Sequence, residues 1–154
     1  MAETTGNQFI VYNGIFRHGV DEKRRVQVPA RWRPAEAEME FTLIVWPNAT
    51  YKEASLLVLP PQEMLALLNK VRQMSLADPE TQSLRRLLGS KSANVSLDKG
   101  GRICLPEDMA RKVDVKDEAV LVGHLDRFEI WNPERYKEVE KADETLLPQA
   151  FKLI

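Results

Sequence analysis

Polar and apolar residues alternate with a period of two in several short runs, and the runs recur along the chain. Arg25-Val26-Gln27-Val28 and Arg102-Ile103-Cys104-Leu105 both alternate in the way of a strand with one face covered. A strand precedes each, over 15–20 and 93–97, and a tight polar turn joins the two. Pro29 and Pro106 follow. Proline offers no amide to a ladder, and its fixed φ suits the first turn of a helix. Short helical turns are therefore predicted over 29–33 and 106–112. Two more strands come next in each half, 41–46 with 55–59 and 119–123 with 127–131. A closing helix follows each, 61–74 and 133–142. In the first of these, Met64, Leu67, Leu68, Val71 and Met74 recur at helical spacing and predict a buried stripe. Asp78 and Pro79 supply an N-cap and an N1 proline for a further helix through Leu84, Leu87 and Leu88, which Gly89 is predicted to end.

The recurrence is an internal repeat. Val20 to Pro29 and Leu97 to Pro106 share one pattern: apolar, Asp, three polar or glycine residues, Arg, apolar, any residue, apolar, Pro. The offset is 77 residues, from Asp21 to Asp98. Leu56 to Pro61 aligns with Phe128 to Pro133 at an offset of 72. The first copy therefore carries a net insertion of five residues, placed in the loop 47–53. The expected fold class is α+β, mainly β. Its divisions are an N-terminal extension (1–11), a first module (12–74), a helical connector (75–92), a second module (93–142) and a C-terminal tail (143–154). Modules of this size are marginal on their own, so the two are expected to pack on each other.

Composition narrows the class. Of 154 residues, 44% are hydrophobic and 29% charged, a balance that predicts an ordered soluble fold. No run approaches the ~18 apolar residues of a membrane-spanning helix. The polar start lacks the features of a signal peptide, and the single Cys104 has no internal disulfide partner, so a cytoplasmic location is expected. The formal net charge is −1, but it is unevenly spread. Segment 17–33 sums to +4, segment 85–116 to +4 and segment 117–154 to −4. A phosphate backbone responds to the local patch rather than to the total.

Enzyme chemistry finds no foothold. The two histidines (His18, His124) and one cysteine have no metal-ligand spacing. Gly100-Gly101 sits between strands and falls short of a phosphate-binding glycine loop. His18 beside a strand reads as half-buried and structural, and Glu36, Glu38 and Glu40 read as a solvated face. No catalytic residue, metal or cofactor is expected. What remains is the pair of Asp-x-x-x-Arg turns. An aspartate at the first position can bond nearby backbone amides and set the turn. Arg25 and Arg102 then have two roles open to them. They can read guanine edges, with Lys23 or Lys99 on phosphates, or they can pair with Asp21 and Asp98 to hold the hairpins.

These motifs resemble the MraZ family, a bacterial branch of the AbrB-like swapped-hairpin proteins. The match rests on Tyr12-Asn13-Gly14, on His18-Gly19-Val20 leading into Asp21 to Arg25, and on Val26 to Val28 with Pro29-Ala30-Arg31-Trp32-Arg33. It continues through Leu97 to Pro106 and through Gly123 with Asp126 to Trp131. The resemblance implies two tandem βαββ modules interlocked as a compact barrel-like pseudo-dimer with flanking helices. It also implies a cytoplasmic, nucleoid-associated regulator of the division and cell-wall gene cluster. Such a regulator binds repeated boxes in double-stranded promoter DNA and assembles into ring-shaped homo-oligomers that multiply modest contacts. Carried over by position, the DNA-binding residues are Asp21, Lys23, Arg24, Arg25, Asp98, Lys99 and Arg102. An antitoxin-like protein-interaction role is the alternative, against which the duplication argues.

The chain departs from the family pattern at Arg24, where a glycine is usual. Either the first turn is reshaped, or Arg24 keeps an ordinary φ and becomes an extra phosphate contact. The N-terminal extension is longer than in the family and is expected to be flexible. The apolar tail from Leu146 onward either docks on a neighbouring subunit or frays.

Overall fold

The computed structural model describes residues 9–36 and 38–154; of the extension expected to be flexible, residues 1–8 lie outside the described residues. Strands β1 (Ile15–Gly19) and β2 (Arg25–Gln27) lead into a 3-10 turn at Ala30–Trp32. Strands β3 (Glu40–Trp46) and β4 (Ser55–Leu59) follow, then helices α1 (Pro61–Arg72) and α2 (Pro79–Ser90). The second half runs β5 (Ser92–Ser96), β6 (Arg102–Cys104), α3 (Glu107–Lys112), β7 (Glu118–Gly123), β8 (Phe128–Trp131) and α4 (Pro133–Phe151). The fold is α+β, as expected from the periodicities.

Six strands form one antiparallel sheet in the order β1-β7-β8-β4-β3-β5, and β2 pairs with β6 in a separate ribbon. Exchange each strand for its counterpart in the other half and the sheet order reads the same backwards. The register obeys the same exchange. Val26 faces Ile103 in the ribbon, and Leu57 faces Glu129 between β4 and β8. Both pairs join a residue to its own counterpart and so mark a local two-fold axis. The first strand of each half pairs in the other half: β1 with β7, and β5 with β3.

The sheet stays open at β1 and β5, so the barrel-like closure expected from the resemblance is absent among the described residues. The reason lies in where the edge strands lead. Each runs through a turn into the ribbon, where Val20, just past β1, makes an isolated bridge to Val26. Val26, Val28, Ile103 and Leu105 are fully buried in one core with Phe41, Leu43, Leu56, Val58, Leu121, Phe128 and Ile130. The ribbon thus covers one sheet face. On the other face, Met64, Leu67 and Leu88 of α1 and α2 pack on Ile44, Leu57 and Leu59. There too Tyr136 and Val139 of α4 meet Val120 and Trp131. Central β4 is buried at every position because both its faces are covered, which explains its unbroken apolar run.

Several boundaries differ from the sequence reading. Pairing of Ile15 with Val122 and of Ser92 with Ile44 makes Ile44 the counterpart of Val122, an offset of 78. The net five-residue insertion is therefore six extra residues in the β3–β4 loop, less one extra residue before β7 in the second half. The stripe on α1 is only partly covered: Val71 is buried, Met64, Leu67 and Met74 are half-buried and Leu68 is exposed, because the helix is packed along one side only. Helix α2 ends at Ser90, so Gly89 sits in its last turn. Helix α4 continues through Pro148 to Phe151, nine residues past the expected end, where Glu144, Leu146, Leu147 and Ala150 are good helix formers. Leu146, Leu147 and Phe151 are exposed there.

Candidate nucleic-acid interface

The two Asp-x-x-x-Arg turns fold alike, and the ribbon places them on either side of its axis. In the first, Asp21 Oδ1 accepts from the amides of Lys23 (2.9 Å) and Arg25 (2.8 Å). In the second, Asp98 Oδ1 accepts from the amides of Gly100 and Arg102, both at 2.9 Å. The amides of Arg24 and Gly101 close each turn on the carbonyl oxygens of Asp21 and Asp98. The aspartates thus do what their position predicted: each converts a five-residue turn into a fixed loop.

The arginines are held by the same carboxylates. Arg25 Nε donates to Asp21 Oδ2 at 2.7 Å, and Arg102 Nε donates to Asp98 Oδ2 at 3.0 Å. Arg102 also brings one terminal nitrogen to 2.9 Å from Asp98 Oδ2 and the other to 3.9 Å from Asp21 Oδ2. The hairpin-holding role is therefore present in both turns. It does not exhaust the guanidinium groups, which carry five donors each. Both arginine side chains remain about one-third exposed, at 33% and 35%.

Alternation explains what else the ribbon displays. Val26 and Ile103 point into the core, so the neighbouring side chains lie on the outer face, where Arg25 faces Cys104 and Gln27 faces Arg102. Gln27 and Cys104, overlooked in the sequence reading, reach across to the opposite turn. Gln27 Nε2 donates to the Gly100 carbonyl at 2.7 Å, and Cys104 Sγ lies 3.2 Å from the Lys23 carbonyl. Their signal was legible: they are counterparts at the 77-residue offset. Lys23 and Lys99 are exposed at the turn tips. The two turns that carry Asp21, Lys23, Arg24, Arg25, Asp98, Lys99 and Arg102 are thus brought together on the ribbon.

Arg24 resolves its departure in a third way. It adopts φ 61°, the left-handed conformation of its counterpart Gly101 at φ 80°, so the turn is neither reshaped nor relaxed to an ordinary φ. Its Nε donates to the Leu105 carbonyl at 3.0 Å. The premise on which it became an extra phosphate contact is not met. Gly123, also picked out by the sequence, is explained by packing: a Cβ there would lie 2.6 Å from the Asn13 Cα. His18 is half-buried in β1, as expected of a structural residue.

The Asp21 carboxyl is held below the usual carboxylate range by the Arg25 amide first and then by the Arg25 guanidinium. Asp98 is lowered in the same way by Arg102. A folded value below the unfolded one means that this stabilisation is fully present above the ordinary aspartate pKa of about 3.9. It is lost as pH falls through the depressed value. The expected result is that an Asp21→Asn, Asp98→Asn variant loses less stability than the parent when urea midpoints are followed from pH 5 down to pH 2. Parallel acid limbs for the two proteins would count against the turns as acid-sensitive elements.

Fold and site together define the class: an α+β chain that presents two matched, arginine-bearing turns on one β-ribbon. Among the described residues it has no His, Cys, Asp or Glu group able to hold a metal ion. No helix there is long and apolar enough to cross a membrane. Residues 90–150 match the family model described as "MraZ protein, putative antitoxin-like". The protein named Transcriptional regulator MraZ in Roseiflexus castenholzii is 30% identical over 139 residues, covering 86% of this chain and 88% of that one. Its namesake in Thermomicrobium roseum is 30% identical, covering 82% and 84%. That of Shewanella oneidensis is 28% identical, covering 88% and 90%. The chain belongs to the MraZ family.

Proposed function

We propose that this protein is a sequence-specific, DNA-binding transcriptional regulator and not an enzyme. The observation that carries the reading is the outer face of the β2–β6 ribbon, where Arg25 and Arg102 occupy diagonal positions, across from Cys104 and Gln27, each oriented by its own aspartate. A two-stranded ribbon fits the major groove. An arginine fixed on one side by a carboxylate presents its remaining donors in a set direction, as base reading requires. Asp21, Arg24 and Asp98 shape the turns, Arg25 and Arg102 read bases, and Lys23 and Lys99 hold phosphates. The regulator names of the relatives support the same role.

The finer assignments belong to this reading. The two halves are tandem AbrB-like swapped-hairpin modules, 12–74 and 93–142, joined by the connector 75–92. The crossed pairing of β1 and β5 supports that division. The targets are repeated promoter boxes of the division and cell-wall gene cluster. The working form is a ring-shaped homo-oligomer, cytoplasmic and nucleoid-associated, whose repeated turns add through avidity.

A salt-titrated mobility shift tests it, with duplex DNA from upstream of the protein's own gene and a shuffled duplex of equal length. A preferential shift with a steep salt slope is expected. Equal or absent binding to both duplexes would move the assignment to a protein-interaction role. One observation favours that second reading: the exposed apolar end of α4, with Leu146, Leu147 and Phe151, offers a surface to a protein partner. Co-purification of a second protein that depends on residues 140–154 would support it.

A further inference from the structure

The two halves use one clamp from two different places. The carbonyls of Val28 and Leu105 are counterparts at the 77-residue offset, each just past the end of a ribbon strand. Each accepts one guanidinium Nε: Val28 from Arg33 at 2.9 Å and Leu105 from Arg24 at 3.0 Å. The donors are not counterparts. Arg33, just past the helical turn of the first half, corresponds to Ala110, which is buried. Arg24, within the first polar turn, corresponds to Gly101. So where the helical segment supplies arginine, the turn has glycine; where the turn supplies arginine, the helical segment has alanine.

The exchange has a steric reason. A Cβ on Gly101 would lie 2.5 Å from Arg33 Nε, so that space holds the Arg33 guanidinium or a side chain from position 101, not both. The same backbone pairing underlies both clamps. Leu105 N donates to the Arg24 carbonyl at 2.8 Å, and Val28 N donates to the Gly101 carbonyl at 3.0 Å. Arg24 therefore grips Leu105 through main chain and side chain together. That grip offsets the strain of a non-glycine residue at φ 61°.

We propose that Arg24 and Arg33 are equivalent positioning residues that lock the two turns onto the ribbon, and that Arg24 acts inward on Leu105 and not as a phosphate contact. The proposal rests on the reading that the turns meet DNA. It recasts Arg24 from a contact to a support: its removal loosens the geometry of Arg25 without removing a charge from the DNA-facing surface.

The test moves the clamp. Arg24→Gly should speed amide exchange at Lys23 and Arg25 by roughly fivefold, the equivalent of one lost hydrogen bond. It should weaken binding to the own-promoter duplex while leaving the salt slope at the parent value. Arg24→Gly with Ala110→Arg copies the second turn's arrangement to the first turn and should restore both exchange and affinity. Because Ala110 is buried, the converse pair, Arg33→Ala with Gly101→Arg, provides the same test at the second turn. There Arg33→Ala alone should speed exchange at Gly100 and Arg102, and the pair should slow it again. Parent-like exchange in both single variants, or failure of both pairs to restore it, overturns the proposal. So does a salt slope lower by about 1 in Arg24→Gly, the mark of a lost phosphate contact. If the parent itself does not prefer its own promoter to the shuffled duplex, the DNA reading fails. The exchange data then still decide the clamp.

Discussion

Replacing Arg25 and Arg102 together by alanine is expected to abolish the preference for own-promoter DNA while the protein stays folded. The turns do not depend on those side chains for their backbone shape. Asp21 and Asp98 keep two amide bonds each through Oδ1, and the main-chain closures at Arg24 and Gly101 remain. What disappears is the fork of donors that can distinguish one base pair from another. A good bidentate arginine contact discriminates by about 1–3 kcal/mol. Losing two such contacts should therefore reduce specific binding by at least about thirtyfold. Competition mobility shifts read the loss, and thermal melting reads the fold. Retained discrimination would remove the turns from the DNA surface. Unfolding would assign the arginines to holding the hairpins alone.

Trp32→Ala should be among the most destabilising single changes in the chain. Trp32 is fully buried. Its ring lies 4.9 Å from Phe128, 5.1 Å from Phe16 and 5.8 Å from Tyr12. It thereby ties the segment after β2 to β1, β8 and the N-terminal stretch. Its Nε1 donates to the Asn13 carbonyl at 3.2 Å, a bond that alanine leaves unmade. Large-to-small changes at such aromatic sites cost about 3–5 kcal/mol, against a total stability of about 5–15 kcal/mol for ordinary domains. Met109 is the counterpart in the second half and is also buried, but it is smaller and brings no ring stacking. Met109→Ala should cost less. Urea unfolding of the two variants checks the order, and a Trp32→Ala loss smaller than that of Met109→Ala would contradict the account.

Much of the site was legible before any coordinates. The repeated Asp-x-x-x-Arg turns pointed to the aspartates as turn-setting residues, because a carboxylate beside free backbone amides has few other partners. What could not be read was how Arg24 accommodates a glycine position. Its answer lies in the Leu105 carbonyl, 81 residues away in sequence, and no local rule reports on a partner so distant. The contacts of Gln27 and Cys104 are hidden for the same reason, since each reaches the opposite turn, although the correspondence of the two residues at the 77-residue offset is present in the sequence.

The residue order alone determined the strands, the breaks at Pro29 and Pro106, the capped start of α2 at Asp78 and the duplication. These follow from local physics: side-chain period, proline's missing amide, and a carboxylate reaching the nearest free N–H. Only the tertiary structure decided which strands pair. It sent β1 and β5 into the opposite halves, left the sheet open, and split the net five-residue insertion into six and one. Alternation says that one face of a strand is buried but not against what. Long-range pairing is settled by the joint burial of Val26, Ile103, Trp32, Phe41 and Phe128, a property of the assembled core and not of any segment within it.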